Sequence, residues 1–372
     1  VSRFRKILLL VNWDVHRADR VTDDRQSPNL IREGERYWFF KDWPDQETEI
    51  EVIDYCRIPL LHHIERFWLK FYVLQAFRAL FQMRKYDLII SHGAQSGVLL
   101  AFLRSLLGIK SPPHVIIDVG CFNGGRDRKA ELLPLRFAAR SIDGVISHCT
   151  QQSEYYQTCL PELNGRHRFV PFGTDPDFFR PRKAGTSSKP PAACDDNYIV
   201  CVGYLKRDWP TLIQAFSHLN REVKLKLVGA KSAIGYRFPD RSWPGVECLP
   251  YVPIDELKRI LSGARFIVLP LPYFRYSFGQ MTLLQAMSMG KAVVVTDVPG
   301  VADYVRDGYN ALLTEPYNWQ DLKSKMELLL KDEEMVRELG ENARLSVLER
   351  YNERELARGI YQAVTELCGG AD

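Results

Sequence analysis

Short apolar runs, bounded by glycine or polar residues, recur along both halves of the chain. In the first half they fall at Ile7–Val11, Asp87–Ser91, His114–Val119, Asp143–Ser147 and Arg168–Gly173, with an alternating run at Glu49–Tyr55. In the second half they fall at Asn197–Val202, Val223–Gly229, Val246–Leu249, Phe266–Leu271 and Ala292–Thr296. Apolar runs of this length read as buried parallel strands. Helical spacing fills the gaps, at Gly97–Leu107, from Asp208–Pro210 onward, at Leu257–Ala264 and after Leu313 to a last helix at Asn352–Leu367. Asp208 suits an N-cap and Pro210 a first turn. Alternating strands and helices in both halves predict an α/β architecture with a parallel sheet in each.

The stretch Tyr276–Gly290 organises the second half. Gly279 is a turn residue, Met281, Leu284, Met287 and Met289 follow near helical spacing, and Gly290 is placed to close the helix. A helix starting on small and polar residues offers free N–H groups to an anion, phosphate above all.

Two stretches break the alternation. Residues 13–48 are polar, aromatic and irregular, with Tyr37, Trp38, Phe39, Phe40 and Trp43, and a loop this long is usually functional or mobile. It reads as a functional loop beside a binding site, the alternative being a plain surface excursion. Residues 64–85 are apolar, aromatic and basic, and predict an amphipathic helix that either lies on an anionic membrane surface or crosses over the sheet with its basic groups snorkelling. Residues 181–196 lack periodicity and read as a linker.

Composition narrows the function classes. A chain of 372 residues, 46% hydrophobic and 26% charged, favours two globular domains. A net charge of +4 argues against a dedicated nucleic-acid binder. The 8 cysteines form no C-x-x-C pair, which predicts a reducing compartment and no zinc site. Ile7–Val11 is too short for a leader or a membrane span, so the expected location is cytoplasmic, at most against the cytoplasmic face of the membrane.

Residues 277–314 contain, from Leu283, the run L-L-Q-A-M-S-M-G-K-A-V-V-V-T-D-V-P-G-V-A-D-Y-V-R-D-G-Y-N-A-L-L. This resembles the signature of GT4-type retaining glycosyltransferases, roughly E-x-F-G-x-x-x-L-E-A-M-A-x-G-K-P-V-V-A-T-D-V-G-G-x-x-E-x-V-x-D-G-x-N-G-L-L. Arg168–Pro181 likewise resembles the segment that ends that family's first domain. The resemblance implies the GT-B fold, two Rossmann-like domains facing a central cleft, with a last helix returning to the first domain. Domain boundaries follow: 1–180 with about 352–372 for the acceptor, and 197–351 for the nucleotide sugar.

The implied reaction moves a sugar from a nucleotide-diphosphate donor, a UDP-sugar favoured over GDP or ADP, to a glycan, lipid-linked or small-molecule acceptor with retention. No metal and no other cofactor is implied. Donor contacts carry over to Gly203, Tyr251, Arg275, Ser277, Phe278, Gly279, Gln280, Met281, Thr282, Leu283 and Gln285. Arg275 either reaches the donor or caps its loop. Lys206 and Arg207 carry the charge that balances the leaving diphosphate, with Arg207 favoured because a guanidinium grips phosphate bidentately. Trp13, Asp118, Asn123 and His148 are assigned to the acceptor side; His148 is equally readable as a core histidine, and Gly124–Gly125 as a simple turn.

The chain also departs from the pattern. Ser277 and Gln285 stand where the family has its paired glutamates, Asp303 replaces a weaker third, and Tyr204 takes the place of a basic residue. Those losses keep a nucleotide-sugar-binding scaffold open as an alternative, and, further off, a nucleotide-sugar 2-epimerase.

Overall fold

The computed structural model describes residues 3–18, 28–55, 58–69, 71–120, 122, 129–181, 197–203, 205–219, 222–230 and 243–369. The chain divides into two compact units. The first holds the chain up to Pro171, the short segment Arg275–Ser277 and the residues from Arg354. The second holds Phe172–Phe274 and Phe278–Glu353.

In the first unit the strands are β1 (Lys6–Val11), β2 (His16–Ala18), β3 (Leu30–Arg32), β4 (Glu49–Ile53), β5 (Leu88–His92), β6 (His114–Asp118), β7 (Gly144–Ser147) and β8 (His167–Phe169). Six of them form a parallel sheet in the order β4-β1-β5-β6-β7-β8, and β2 pairs with β3 apart from it. The helices are α1 (Pro59–His63), α2 (Val73–Gln82), α3 (Ala94–Leu106), α4 (Lys129–Ala139) and α5 (Gln152–Cys159). Side chains alternate across a strand, so Leu8, Leu10 and Ile89 pack with α2 on one face, while Ile116 and Val145 pack with α4 and α5 residues on another.

The second unit repeats the scheme. Its strands β9 (Tyr198–Val202), β10 (Lys224–Val228), β11 (Val246–Leu249), β12 (Ile267–Leu269), β13 (Val293–Thr296) and β14 (Leu312–Thr314) form a parallel sheet in the order β11-β10-β9-β12-β13-β14. Its helices are α6 (Trp209–Ser217), α7 (Ile254–Gly263), α8 (Gln280–Ser288), α9 (Pro299–Ala302), α10 (Trp319–Lys331) and α11 (Glu333–Arg350). Val200, Ile267, Leu269, Val293 and Val295 point into one core, and Ile199, Cys201, Val268 and Val294 into the other. Both faces are buried, which is why these strands read as unbroken apolar runs. Asp208 caps α6 by accepting from Thr211 N at 3.2 Å. At the end of α8, Gly290 N donates to Met287 O and Lys291 N to Ala286 O, the paired bonds of a Schellman closure. A last helix, α12 (Glu353–Cys368), packs on the first unit.

Three expectations need correction. The first unit ends at Pro171, ahead of 180, because the following residues are held by the second: Phe172 N donates to Tyr304 OH at 2.8 Å, and Phe179 lies in its core. The aromatic part of 13–48 is core. Tyr37, Trp38, Phe39, Phe40 and Trp43 are buried, and Trp43 meets Tyr361 of α12 edge-on at 5.2 Å. Residues 64–85 are not one helix. Ile64–Leu69 is a turn of π-helix, and α2 begins only at Val73. The break has a cause: buried Glu65 turns its Oε1 to accept from Leu74 N at 2.7 Å, capping α2 in place of an uninterrupted backbone ladder. The expected linker lies outside the described residues, apart from Pro181.

Candidate functional site

In the second unit, consecutive crossovers part company between β9 and β12, which are neighbours in the sheet. Loops at the carboxyl ends of such a strand pair diverge and leave a crevice. The loop after β9 carries Gly203, Lys206 and Arg207. The chain after β12 leads to Gly279 and α8.

Arg207 is half-buried and ties these elements together. Its Nε donates to Val202 O at 2.8 Å, Nη1 to Leu205 O and Lys206 O, and Nη2 to Thr282 Oγ1 at 3.1 Å. Burial lowers its pKa from the ordinary arginine value, yet a guanidinium stays charged in water-accessible proteins. Lys206 is exposed, and its ammonium lies 4.9 Å from the Phe274 ring centre and 5.1 Å from that of Phe278. Its backbone sits at φ 49°, a left-handed conformation that costs an ordinary residue on the order of 1 kcal/mol.

Helix α8 starts from Gly279 at φ 90°, with no side chain capping it. A Cβ at Gly279 would lie 2.6 Å from Leu271 Cδ1, so the position admits only glycine. The first-turn N–H groups of α8 therefore have neither an intrahelical partner nor a cap. Two glutamines line this region of the helix. Gln280 is buried with Nε2 unpartnered, and Gln285, 9% exposed, makes no side-chain hydrogen bond among the described residues. Buried amides are normally satisfied, so the unpartnered Gln280 Nε2 is a donor left for a ligand. Met281 is exposed, while Leu283 is fully buried and belongs to the core.

The other predicted donor residues fall in different settings. Tyr251, beyond β11, is exposed. Arg275 is exposed and belongs to the first unit, as does Ser277. Ser277 is buried, and both its N–H and its hydroxyl donate to Gln152 Oε1, at 3.0 and 2.8 Å. Lys291 is not available to a diphosphate: its ammonium donates to Ser262 O and Ala264 O.

In the first unit the order reverses between β1 and β5, and Trp13 and His92 stand at the ends of those strands. Their rings meet edge-on at 4.8 Å, and Trp38 adds a third ring 5.0 Å from His92. Trp13 Nε1 donates to Pro28 O and Tyr37 OH. His148 is buried, its Nδ1 2.7 Å from Val170 O, and its ring centre is 6.3 Å from that of His92. Burial pushes His92 down to about 3 and His148 to about 4, so both imidazoles are neutral. Sequence reasoning did not assign His92 to a site, because only the strand order reveals that its strand neighbours β1.

Asp118 does not reach toward an acceptor. It is fully buried, with Oδ1 accepting from Gly120 N at 2.8 Å and Oδ2 from Tyr156 OH at 2.5 Å and Gln152 Nε2 at 3.0 Å. Asn123, Gly124, Gly125 and Tyr204 lie outside the described residues.

Residues 186–346 match the family model described as Glycosyl transferases group 1. An uncharacterised glycosyltransferase of Methanocaldococcus jannaschii is 32% identical over 122 residues, 33% of this chain and 34% of that protein. An N,N'-diacetylbacillosaminyl-diphospho-undecaprenol alpha-1,3-N-acetylgalactosaminyltransferase of Campylobacter jejuni is 34% identical over 88 residues, 24% of this chain and 23% of that one. The chain thus spans about a third or less of the length of these two relatives. Among solved structures, a sucrose-phosphate synthase of Thermosynechococcus elongatus superposes with a TM-score of 0.68 at 19% identity, covering 99% of this chain and 100% of that one. HepE of Anabaena in complex with UDP-glucose gives 0.62 at 16% identity, covering 97% and 99%. The chain therefore has a GT-B fold of two Rossmann-like units, and its residues 186–346 are similar to the Glycosyl transferases group 1 model.

Proposed function

We propose that the chain transfers a sugar from a nucleotide-diphosphate sugar, a UDP-sugar by preference, to an acceptor with retention of anomeric configuration. The observation that carries this reading is the start of α8: uncapped N–H groups, the buried Gln280 amide whose Nε2 has no partner among the described residues, and the Arg207 guanidinium bonded to Thr282 of the same turn. Positive charge and oriented donors at one helix end suit a diphosphate. Gln285 stands where the resemblance puts a ribose-binding glutamate, and its amide still offers an acceptor oxygen to a hydroxyl. As the sugar leaves, charge grows on the diphosphate. Arg207, Lys206 and the helix terminus meet it, and the reaction needs no metal.

For the acceptor, the exposed segment from Ile58 to Lys85 favours a lipid-linked glycan at a membrane face. Leu60, Trp68 and Phe81 are 72%, 80% and 84% exposed. Phe77 and Phe81 stack on one ridge of α2 beside exposed Arg78. The only acid in the segment is the buried Glu65. Apolar rings flanked solely by basic residues suit an anionic bilayer. The Campylobacter relative, by its name, acts on an undecaprenol-linked substrate. Among the described residues no helix is long and apolar enough to cross a membrane.

The test is incubation with sugar-labelled UDP, GDP and ADP donors in the presence of a lipid-linked acceptor, preceded by a thermal-shift screen. A nucleotide at a hundredfold its dissociation constant adds about 2.7 kcal/mol of stability. Label in a new α-glycoside supports the reading. An epimerised donor, or binding without turnover, sinks it in favour of the epimerase or the scaffold.

A further inference from the structure

The loop after β9 presents two adjacent cations, and an aromatic pair arranges them. Lys206 is exposed, yet its ammonium stands within cation–π range of two rings at once, 4.9 Å from the centre of Phe274 and 5.1 Å from that of Phe278. The two rings meet edge-on, their centres 5.9 Å apart and their planes at 74°. Phe278 also takes the Arg207 guanidinium, whose Cζ lies 5.7 Å from its centre. Lys206 and Arg207 thus attend the same ring. All four residues belong to the second unit.

The arrangement carries two costs. The backbone at Lys206 is left-handed, and like charges on neighbouring residues repel. Arg207 has no carboxylate partner among the described residues; its bonds go to three carbonyls and the Thr282 hydroxyl. Local strain persists where it serves a ligand, and an anion that meets both cations relieves their repulsion. Arg207 reaches the first turn of α8, while Lys206 stays exposed beside it. Two cations so placed match two linked anionic groups, one at the helix start and one at Lys206.

We propose that Phe274 is a positioning residue for Lys206. It closes the ring pair that holds the ammonium for the second phosphate, and so lets the site distinguish a nucleoside diphosphate from its monophosphate. The inference rests on the transfer reading above for the nucleotide at α8. Phe278 packs against the core of the second unit and Phe274 is not part of that cluster, so Phe274 is the ring to change.

Calorimetric titration of the full chain with UDP, GDP and ADP, each beside its monophosphate, tests this. Phe274→Leu is expected to weaken the preferred diphosphate about fivefold, the scale of one cation–π contact, and to leave its monophosphate within twofold. In a Lys206→Met background the same change should weaken the diphosphate no further, since the ring acts through the ammonium. Equal diphosphate affinity in Phe274→Leu, or a parallel loss of both nucleotides, overturns the proposal. So does the same loss with and without Lys206, which is what a merely packing ring gives. Where Phe274→Leu does not fold, Phe274→Trp takes its place, indole being the best ring for a cation. A tighter diphosphate that depends on Lys206 then supports the proposal, and unchanged affinity overturns it. Affinity is read without turnover. A chain that shows these ratios but transfers nothing refutes the transfer reading and keeps the clamp. A chain that transfers sugar while Phe274→Leu binds the diphosphate as the wild type does refutes the clamp alone. A wild type that binds none of the nucleotides refutes both.

Discussion

The Arg207 guanidinium lies flat against Gly203, where a Cβ would come within 2.6 Å of its Cζ, and the same side chain reaches Thr282 on α8. A loop after β9 and a helix after β12 are thereby joined by one cation. Gly203, at φ 143°, supplies both the backbone conformation and the space.

That contact predicts a split between Arg207 and Lys206. Arg207→Ala should lower kcat by about 10²–10³-fold, the scale of one lost electrostatic stabiliser. It should also cost stability of about 1–3 kcal/mol, because the carbonyls of Val202, Leu205 and Lys206 lose their donor. Arg207→Lys should recover only part of the rate, since a point charge cannot make the fork. Gly203→Ala should resemble Arg207→Ala, by pushing the guanidinium aside. Steady-state kinetics with urea unfolding of each variant checks this. Near-normal kcat in Arg207→Ala, with a collapse in Lys206→Ala, would reassign the charge.

A second prediction concerns Gln285. Gln285 is 9% exposed and its side chain makes no hydrogen bond among the described residues, so a ribose hydroxyl is the partner expected. Gln285→Leu should weaken UDP by about 1–3 kcal/mol, with little loss of protein stability, since no internal bond is broken. Gln285→Glu should bind at least as well. Isothermal titration decides, and equal UDP affinity in the Leu variant would remove the residue from the site.

The strands were legible because burial on both faces writes them as plain apolar runs, and the ends of α6 and α8 because Asp208 and Gly290 perform local chemistry. What was not legible depends on partners distant in sequence. Trp43 reads as a loop aromatic until Tyr361 covers it. Asp118 reads as a strand-end carboxylate facing a ligand until α5 closes over it, and the Ser277–Gln152 pair spans 125 positions. Glu65 did leave a signal: a lone acid in an apolar, basic run belongs at a helix start, and it marks where the predicted helix breaks.

The broken helix sharpens the membrane prediction. Trp68 and Phe81 flank the break and are the two most exposed large apolar side chains of the segment. Trp68→Ser with Phe81→Ser should reduce sedimentation with phosphatidylglycerol vesicles by about tenfold or more, as each ring withdrawn from lipid forfeits roughly 1.5–3 kcal/mol. Arg84→Glu with Lys85→Glu should weaken binding mainly at low salt. If the wild type does not sediment at low salt, or the serine variant sediments equally, a soluble acceptor replaces the lipid-linked one.

Buried neutral histidines set the acid limit of stability. Burial pushes His92 to about 3, His148 to about 4 and His167 to about 4, and drives His114 below its ordinary value. In the unfolded chain each titrates near 6.5. As pH falls below 6.5 the unfolded state takes up protons that the folded state refuses, so stability is full above that value and declines toward pH 4. Each group contributes about 1.4 kcal/mol per pH unit within its window. Urea midpoints should therefore drop steeply between pH 6.5 and 5, in a range where most carboxylates remain ionised in both states. His167→Gln keeps an amide to meet Ser147 Oγ, which His167 Nε2 now meets at 2.8 Å, and removes one titrating group. Its stability should fall less steeply with acid than that of the wild type, by one proton's worth of slope. Parallel pH profiles for the two proteins would mean that His167 already exchanges its proton in the folded state.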